Sequence, residues 1–278
     1  MITEKICGVT EDKLILDGII YKGKNNRKVI INVHGTAGNF YINEFINSMA
    51  KKYTKNGIDF IVFNNRGHDF ISEIKVYGRN RSKIIGYAFE DFTKSRYDIK
   101  TFVDLAHKLG YKKIILQGHS LGAVKVVYYM EKTRDKRVAG LILASPPDMY
   151  GLMKKKEKPT YQKQKLIFIK SSSSKLVISK KTLNQLSKEN GPANIFSTYS
   201  PKKHSILEKV SIPILAFFGD RSEAVIMNPE KALKIIRNKA KSCKNFTYLV
   251  FKGGNHVYYG IEDKVSGYIA KWVNTNFI

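Results

Sequence analysis

Residues 113 to 124, Lys113-Ile114-Ile115-Leu116-Gln117-Gly118-His119-Ser120-Leu121-Gly122-Ala123-Val124, run from a short apolar strand pattern into a glycine-bracketed serine and then into a helical pattern reaching Met130. Strand, sharp Gly-x-Ser-x-Gly turn and helix together present the hydroxyl of Ser120 as a nucleophile. The turn is so tight that a side chain at either glycine would meet neighbouring backbone, and the serine is held in a strained conformation. The helix that follows points its first amides at the place where a developing oxyanion would sit. A bare Gly-x-Ser-x-Gly can be an ordinary turn; the flanking strand and helix are what make this one specific.

Outward from that segment the chain alternates. Short apolar runs at Val29 to Val33, Ile58 to Phe63, Lys113 to Leu116, Val138 to Leu143, Ile212 to Phe218 and Phe246 to Phe251 have the pattern of strands buried on both faces. Residues 13 to 21 alternate in polarity like a half-exposed strand, with 5 to 10 as a hairpin partner. Segments 43 to 55, 92 to 109, 121 to 132, 229 to 241 and 262 to 276 carry apolar residues at helical spacing. Strand then helix, repeated, predicts an α/β fold with a mostly parallel sheet covered on both faces.

The alternation breaks once. Between Ser145 and Val210 stand Lys154-Lys155-Lys156, the serine run 171 to 174 and the turn-rich Asn190-Gly191-Pro192, with only short apolar clusters. The stretch is too long for a simple connection. It reads as a cap or lid, 146–210, inserted into a core made of 1–145 and 211–278, with a lysine-rich loop as the alternative.

Composition narrows the function classes. An apolar fraction of 43% supports a large core. Of the 49 basic residues nine are arginines, so lysines account for most of the net charge of +26 and lie along the whole chain. With Asn and Ile also plentiful, this is the imprint of an AT-rich coding sequence. No nucleic-acid motif accompanies the charge, so no nucleic-acid partner is expected; a membrane-surface role for the lysines is a weaker rival. The first residues lack the basic start and apolar run of a secretory signal, and no stretch approaches the ~18 apolar residues of a spanning helix. The expectation is a soluble cytoplasmic protein without membrane insertion. Cys7 and Cys243 stand in no metal-type spacing. Neither a disulfide nor a metal site is expected, and both read as buried or idle thiols.

With the Gly118-His119-Ser120-Leu121-Gly122 segment, three further stretches make the chain resemble the α/β-hydrolase superfamily over nearly its whole length apart from the insert. Val33-His34-Gly35-Thr36-Ala37-Gly38 resembles the family's His-Gly loop. The resemblance implies an oxyanion hole from the Thr36 and Leu121 amides, with His34 structural. Asn65-Arg66-Gly67-His68-Asp69 resembles the Arg-Gly-His turn, which implies structural roles for His68 and Asp69. Phe251-Lys252-Gly253-Gly254-Asn255-His256 follows the last predicted strand, where the family carries its general base, and this implies His256. His107, His119 and His204 have no comparable support.

The acid departs from the pattern. The family's Gly-x-x-Asp-x-x-Val corresponds to Gly219-Asp220-Arg221-Ser222-Glu223-Ala224-Val225, which places Ser222 where the Asp is expected. Asp220 is the first choice for the acid and Glu223 the alternate, both ahead of Asp148 in Ser145-Pro146-Pro147-Asp148. The implied activity is that of a serine esterase of the carboxylesterase type: a small or medium carboxylic ester cleaved through an acyl-enzyme on Ser120, without a cofactor or metal. Tyr150, Leu152, Met153, Tyr161, Leu166, Phe168 and Ile169, among lysines, suggest an apolar acyl pocket with a cationic rim suited to an ester bearing an anionic group. Thioesterases and acyltransferases share the fold. A receptor-like protein with little turnover is the rival from another class, kept in view by Ser222.

Overall fold

The computed structural model covers residues 1–278 and describes all of them except 25, 43, 157–158, 164–165, 171–174 and 201–204; of 44, 155–156, 159–163, 166–170 and 175–177 it describes the backbone alone. The chain opens with the antiparallel hairpin β1 (Ile2–Val9) and β2 (Ile15–Lys22), followed by β3 (Lys28–Val33), α1 (Glu44–Lys55) and β4 (Ile58–Phe63). A small hairpin, β5 (Glu73–Lys75) and β6 (Ser82–Ile84), leads through the single turn α2 (Gly86–Phe89) into α3 (Ser95–Lys108), β7 (Lys113–His119), α4 (Leu121–Thr133) and β8 (Val138–Ala144). Then come α5 (Met149–Lys156), β9 (Pro159–Lys163), β10 (Leu166–Lys170), β11 (Lys175–Ser179) and α6 (Lys180–Ser187). The chain closes with β12 (Ile214–Gly219), α7 (Pro229–Lys239), β13 (Phe246–Phe251) and α8 (Glu262–Asn276).

Eight strands form one sheet in the order β1-β2-β4-β3-β7-β8-β12-β13. Every pair from β4 to β13 is parallel, and only the β1–β2 and β2–β4 pairs are antiparallel. The strands read as continuous apolar runs because each faces a covered side in both directions. Side chains alternate across the sheet: Val29, Ile31 and Val33 join the core under α3, α4 and α7, while Ile30 faces α1 and α8. Ile61 and Phe63 divide from Phe60 and Val62 in the same way. Each such side chain, fully buried, contributes ~1.5–3 kcal/mol. The parallel strands all end at one edge, and the segments carrying Thr36, Ser120, Ser222 and His256 leave from that edge.

Between β8 and β12 the chain builds elements of its own. β9, β10 and β11 form an antiparallel sheet in the order β11-β10-β9. Ser179 caps α6 by accepting from the Thr182 amide at 3.1 Å. α6 is then stitched to the segment after α2. The buried Thr182 hydroxyl donates to the carbonyls of Ala88 and Glu90, Gln185 accepts from the Phe92 amide and donates to Asp91, and Lys181 pairs with Asp91 at 2.7 Å. Ile178, Leu186, Ile195 and Phe196 are buried in the same core as α3 and α4. The side chains of Tyr161, Leu166, Phe168 and Ile169, and all of His204, lie outside the described residues. Cys7 is exposed rather than buried, because it sits on the outermost strand, and Cys243 is half-buried; both are free. Among the described residues no helix is long and apolar enough to cross a membrane.

Candidate active site

Ser120 lies between the end of β7 and the start of α4 with φ 55° and ψ −126°, a left-handed conformation that costs a non-glycine residue of order 1–3 kcal/mol. Its amide donates to Ala144 O at 2.9 Å, and its own carbonyl accepts from Ala123 N at 2.9 Å. The glycines make the turn possible. A Cβ on Gly118 would stand 2.3 Å from Gly122 O, and one on Gly122 would stand 1.9 Å from Val33 O. The elbow is therefore wedged against the end of β3 by bare backbone. Leu121 is the first residue of α4, so its amide has no acceptor inside the helix.

The loop after β3 crosses directly over this turn. A Cβ on Gly35 would lie 2.8 Å from Ser120 Cβ and 3.3 Å from Leu121 N. Thr36 follows at the exposed rim. His34 is buried behind the loop, its Nε2 accepting from the Asn65 amide at 3.0 Å and its Nδ1–H facing Gly35 O at 3.0 Å. Burial, helped by the nearby Lys125 ammonium, pushes its pKa down to about 3. A neutral imidazole with both nitrogens occupied holds backbone rather than moving protons.

His256 is carried by the loop after β13. Gly219 and Gly254 meet backbone to backbone, Arg221 N donates to Gly254 O at 2.9 Å, and Asn255 Oδ1 accepts from the amides of Val257 and Tyr259. The His256 carbonyl accepts from His119 Nε2 at 2.9 Å, with the two rings 4.8 Å apart, and from Ser145 Oγ at 3.4 Å. Ser145 Oγ also lies 2.6 Å from the hydroxyl of the buried Tyr258. The residue before Ser120 and the residue after β8 thus tie the His256 loop to the elbow. Neither His119 nor Ser145 was expected to matter; the polar residues adjoining strand ends were the available signal.

At Nδ1 of His256 stands Ser222, its Oγ 3.3 Å away and its residue only 6% exposed. Asp220, the expected acid, is held elsewhere: its carboxylate accepts from the Gly253 amide at 2.8 Å and is exposed. The tight β12 turn, closed by Ser222 N to Gly219 O, aims Asp220 along the backbone of the next loop instead of at the ring. Asp148 is also committed, accepting from Gly151 N, Thr198 Oγ1 and Tyr199 N within the segment after β8. Glu223 is exposed on the turn beside Ser222.

A model of the family described as "alpha/beta hydrolase fold" matches residues 28–175, more than half of the chain. The chain belongs to that family. Among solved structures, this alpha/beta hydrolase is similar to the esterase Est1E of Butyrivibrio proteoclasticus with ferulic acid bound, at 18% identity and TM-score 0.70, over 98% of each chain. It is similar to the esterase domain of a Rhodothermus marinus protein at 12% identity and TM-score 0.66, over 99% of each chain. An esterase of Pyrococcus furiosus matches at 15% identity and TM-score 0.66, over 100% of this chain and 94% of that one. At these identities the likeness is one of fold. No curated protein matches in sequence.

Two buried ion clusters of this alpha/beta hydrolase lie under the site. Arg66, 2% exposed, is clamped by Asp98 at 2.7 Å and Asp12 at 2.9 Å, which anchors the turn carrying His68 and Asp69. His68 Nδ1 is 2.9 Å from Asn65 O, and Asp69 accepts from Asn39 and from the Tyr41 hydroxyl. The second cluster had no sequence signal beyond a lysine in an apolar helix. Lys125 of α4, fully buried, pairs with Glu90 at 2.6 Å and donates to Asn65 Oδ1 at 3.0 Å. Asn65 in turn holds both His34 Nε2 and, from Nδ2, the His34 carbonyl at 3.3 Å. The loop over Ser120 is therefore braced by a continuous polar chain from Glu90 to His34. Among the described residues no cluster of His, Cys, Asp or Glu is placed to hold a metal ion. A cleft of about 630 Å³ opens elsewhere, lined by Cys7, Asp17, Asn64, His68 and Glu73 among others, and does not include Ser120 or His256.

Proposed function

We propose that this chain is a serine hydrolase that cleaves a small or medium carboxylic ester through an acyl-enzyme on Ser120. The observation carrying this reading is the strained Ser120 at the end of β7, with the His256 loop hydrogen-bonded to the residue beside it. His256 takes the Ser120 proton as the alkoxide attacks the ester carbonyl. The amides of Thr36 and Leu121 hold the tetrahedral oxyanion, and His256 returns the proton to the leaving alcohol. Water, activated by the same imidazole, then releases the acid. The chemistry asks for no cofactor or metal. The esterases that share the fold support a carboxylic ester over other acyl substrates. The segment 146–210 serves as the cap over the acyl group, on a core of 1–145 and 211–278. Its lysines suit an ester that carries an anionic group.

The test is labelling by a fluorophosphonate together with an ester panel. Wild type should label at one site and Ser120→Ala should neither label nor turn over. In a serine protease, loss of the nucleophile costs about 10⁶ in kcat. Folded wild type that takes no label would favour the receptor-like reading. Equal turnover of neutral and anionic esters of matched size would remove the anionic preference.

A further inference from the structure

We propose that Ser222 is the residue that positions His256, a neutral hydroxyl in the place where the family pattern has a carboxylate. This deepens the hydrolase reading and rests on it. Ser222 is buried, its Oγ is 3.3 Å from Nδ1, and the backbone crossing of Gly219 with Gly254 and of Arg221 with Gly254 holds it there. Asp220 belongs to the Gly253 amide. For Nε2 to accept the Ser120 proton, Nδ1 must carry its hydrogen and donate it to Ser222 Oγ. The hydroxyl selects the working tautomer and ring orientation, which is one of the two tasks of a triad acid. It neither gains nor loses a proton in the cycle.

The second task, charge stabilisation of the imidazolium, is absent from that contact. Among the described contacts of His256, the His119 ring lies 4.8 Å from the imidazole, and Ser145, itself bonded to Tyr258, meets the His256 carbonyl; on the β12 turn Asp220 accepts from the Gly253 amide and the Arg221 guanidinium donates to the Gly253 carbonyl. Burial lowers the pKa of His119, and its Nε2 contacts the His256 carbonyl rather than the ring nitrogens. A hydroxyl at Nδ1 stabilises the imidazolium less than a carboxylate at the same place would. In a serine protease, loss of the acid's function costs about 10⁴ in turnover because the tautomer is also lost. A serine that keeps the tautomer retains part of that factor.

The experiment compares full-length wild type, Ser222→Ala, Ser222→Asp and Glu223→Gln in hydrolysis of a p-nitrophenyl ester across pH, with the His256 ring titrated by NMR in each. Ser222→Ala should lower kcat about tenfold with little change in KM, the loss of one neutral hydrogen bond to the base. Ser222→Asp should raise kcat and move the acid limb of kcat/KM, and the His256 titration with it, to higher pH by about one unit, since an adjacent carboxylate favours the imidazolium. Glu223→Gln should keep most of the rate. Ser222→Ala with an unchanged rate, combined with a loss of about 10³-fold or more in Glu223→Gln, would overturn the proposal and give the role to Glu223. So would a His256 titration in folded Ser222→Asp identical to wild type. The titration needs no turnover, so it reads the Ser222 contact even if fluorophosphonate labelling sinks the hydrolase reading.

Discussion

The loops after β3, β4 and β7 and the loops after β12 and β13 meet beside the same elbow, yet they are built differently. On the first side the geometry is made of backbone and buried charge. Gly118, Gly122 and Gly35 let three chain segments touch, and Lys125, Glu90, Asn65 and His34 brace the loop from beneath. On the second side the frame is also tight backbone, but the hydroxyl at Nδ1 of the imidazole belongs to a side chain on a turn whose neighbours Asp220 and Glu223 are exposed. A platform made of interlocked backbone tolerates few substitutions. A side chain on a turn can be exchanged, and Ser222 stands where the family pattern that the sequence resembles has Asp.

That contrast orders the expected effects. Gly122→Ala would drive a Cβ to 1.9 Å from Val33 O, so the elbow must separate from β3. The variant should lose essentially all of the proposed ester hydrolysis and melt well below wild type. A near-normal melting temperature with near-normal activity would break the idea of an interlocked platform. Lys125→Met leaves Glu90 buried and unpaired and should destabilise the chain by about 3–5 kcal/mol in urea titration. Adding Glu90→Gln to it should recover part of the loss, which distinguishes charge from packing.

A pH titration probes the same side through His34. Its folded pKa of about 3 lies below the 6.5 of the unfolded chain. Above pH 6.5 both states are neutral and stability is level; as pH falls through 6.5 the unfolded chain takes up a proton that the folded chain refuses. Stability should then decline toward pH 3 with a contribution of up to ~1.4 kcal/mol per pH unit from this group. His34→Gln should flatten that part of the profile, and an unchanged slope would show that His34 is not the group. The smallest effect is reserved for the second side. Asp220→Asn keeps an acceptor for the exposed Gly253 amide and should change kcat by less than about threefold and stability by no more than about 1 kcal/mol. A large loss in kcat would return Asp220 to the role of acid.

Most of the architecture is legible in the chain. The strand runs at 29 to 33, 58 to 63 and 246 to 251 and the helices at 121 and 262 coincide with the observed elements within a residue or two, because doubly covered strands must be apolar throughout and amphipathic helices must repeat. The β5–β6 hairpin was missed: its strands are three residues each, too short for a period to show. The elements after β8 were visible only as a break in the alternation. What ties α6 to the 88–92 segment is a set of side-chain bonds to backbone carbonyls and to Asp91, which leaves no periodic trace.

In the site itself the sequence determined the elbow, since a serine at positive φ between two contacting backbones requires glycines at fixed offsets, a local demand written locally. It also marked the turn after β12 as irregular. That Ser222 meets His256 at Nδ1, and that Lys125 is paired under the loop after β3, were decided by the tertiary structure alone. The β12 and β13 turns, more than thirty residues apart in sequence, cross through Arg221 N and Gly254 O and through two facing glycines. That crossing, a few ångströms in extent, directs Ser222 to the imidazole and Asp220 to a backbone amide. No spacing rule along the chain encodes which of two neighbouring side chains a crossing of two loops will turn inward.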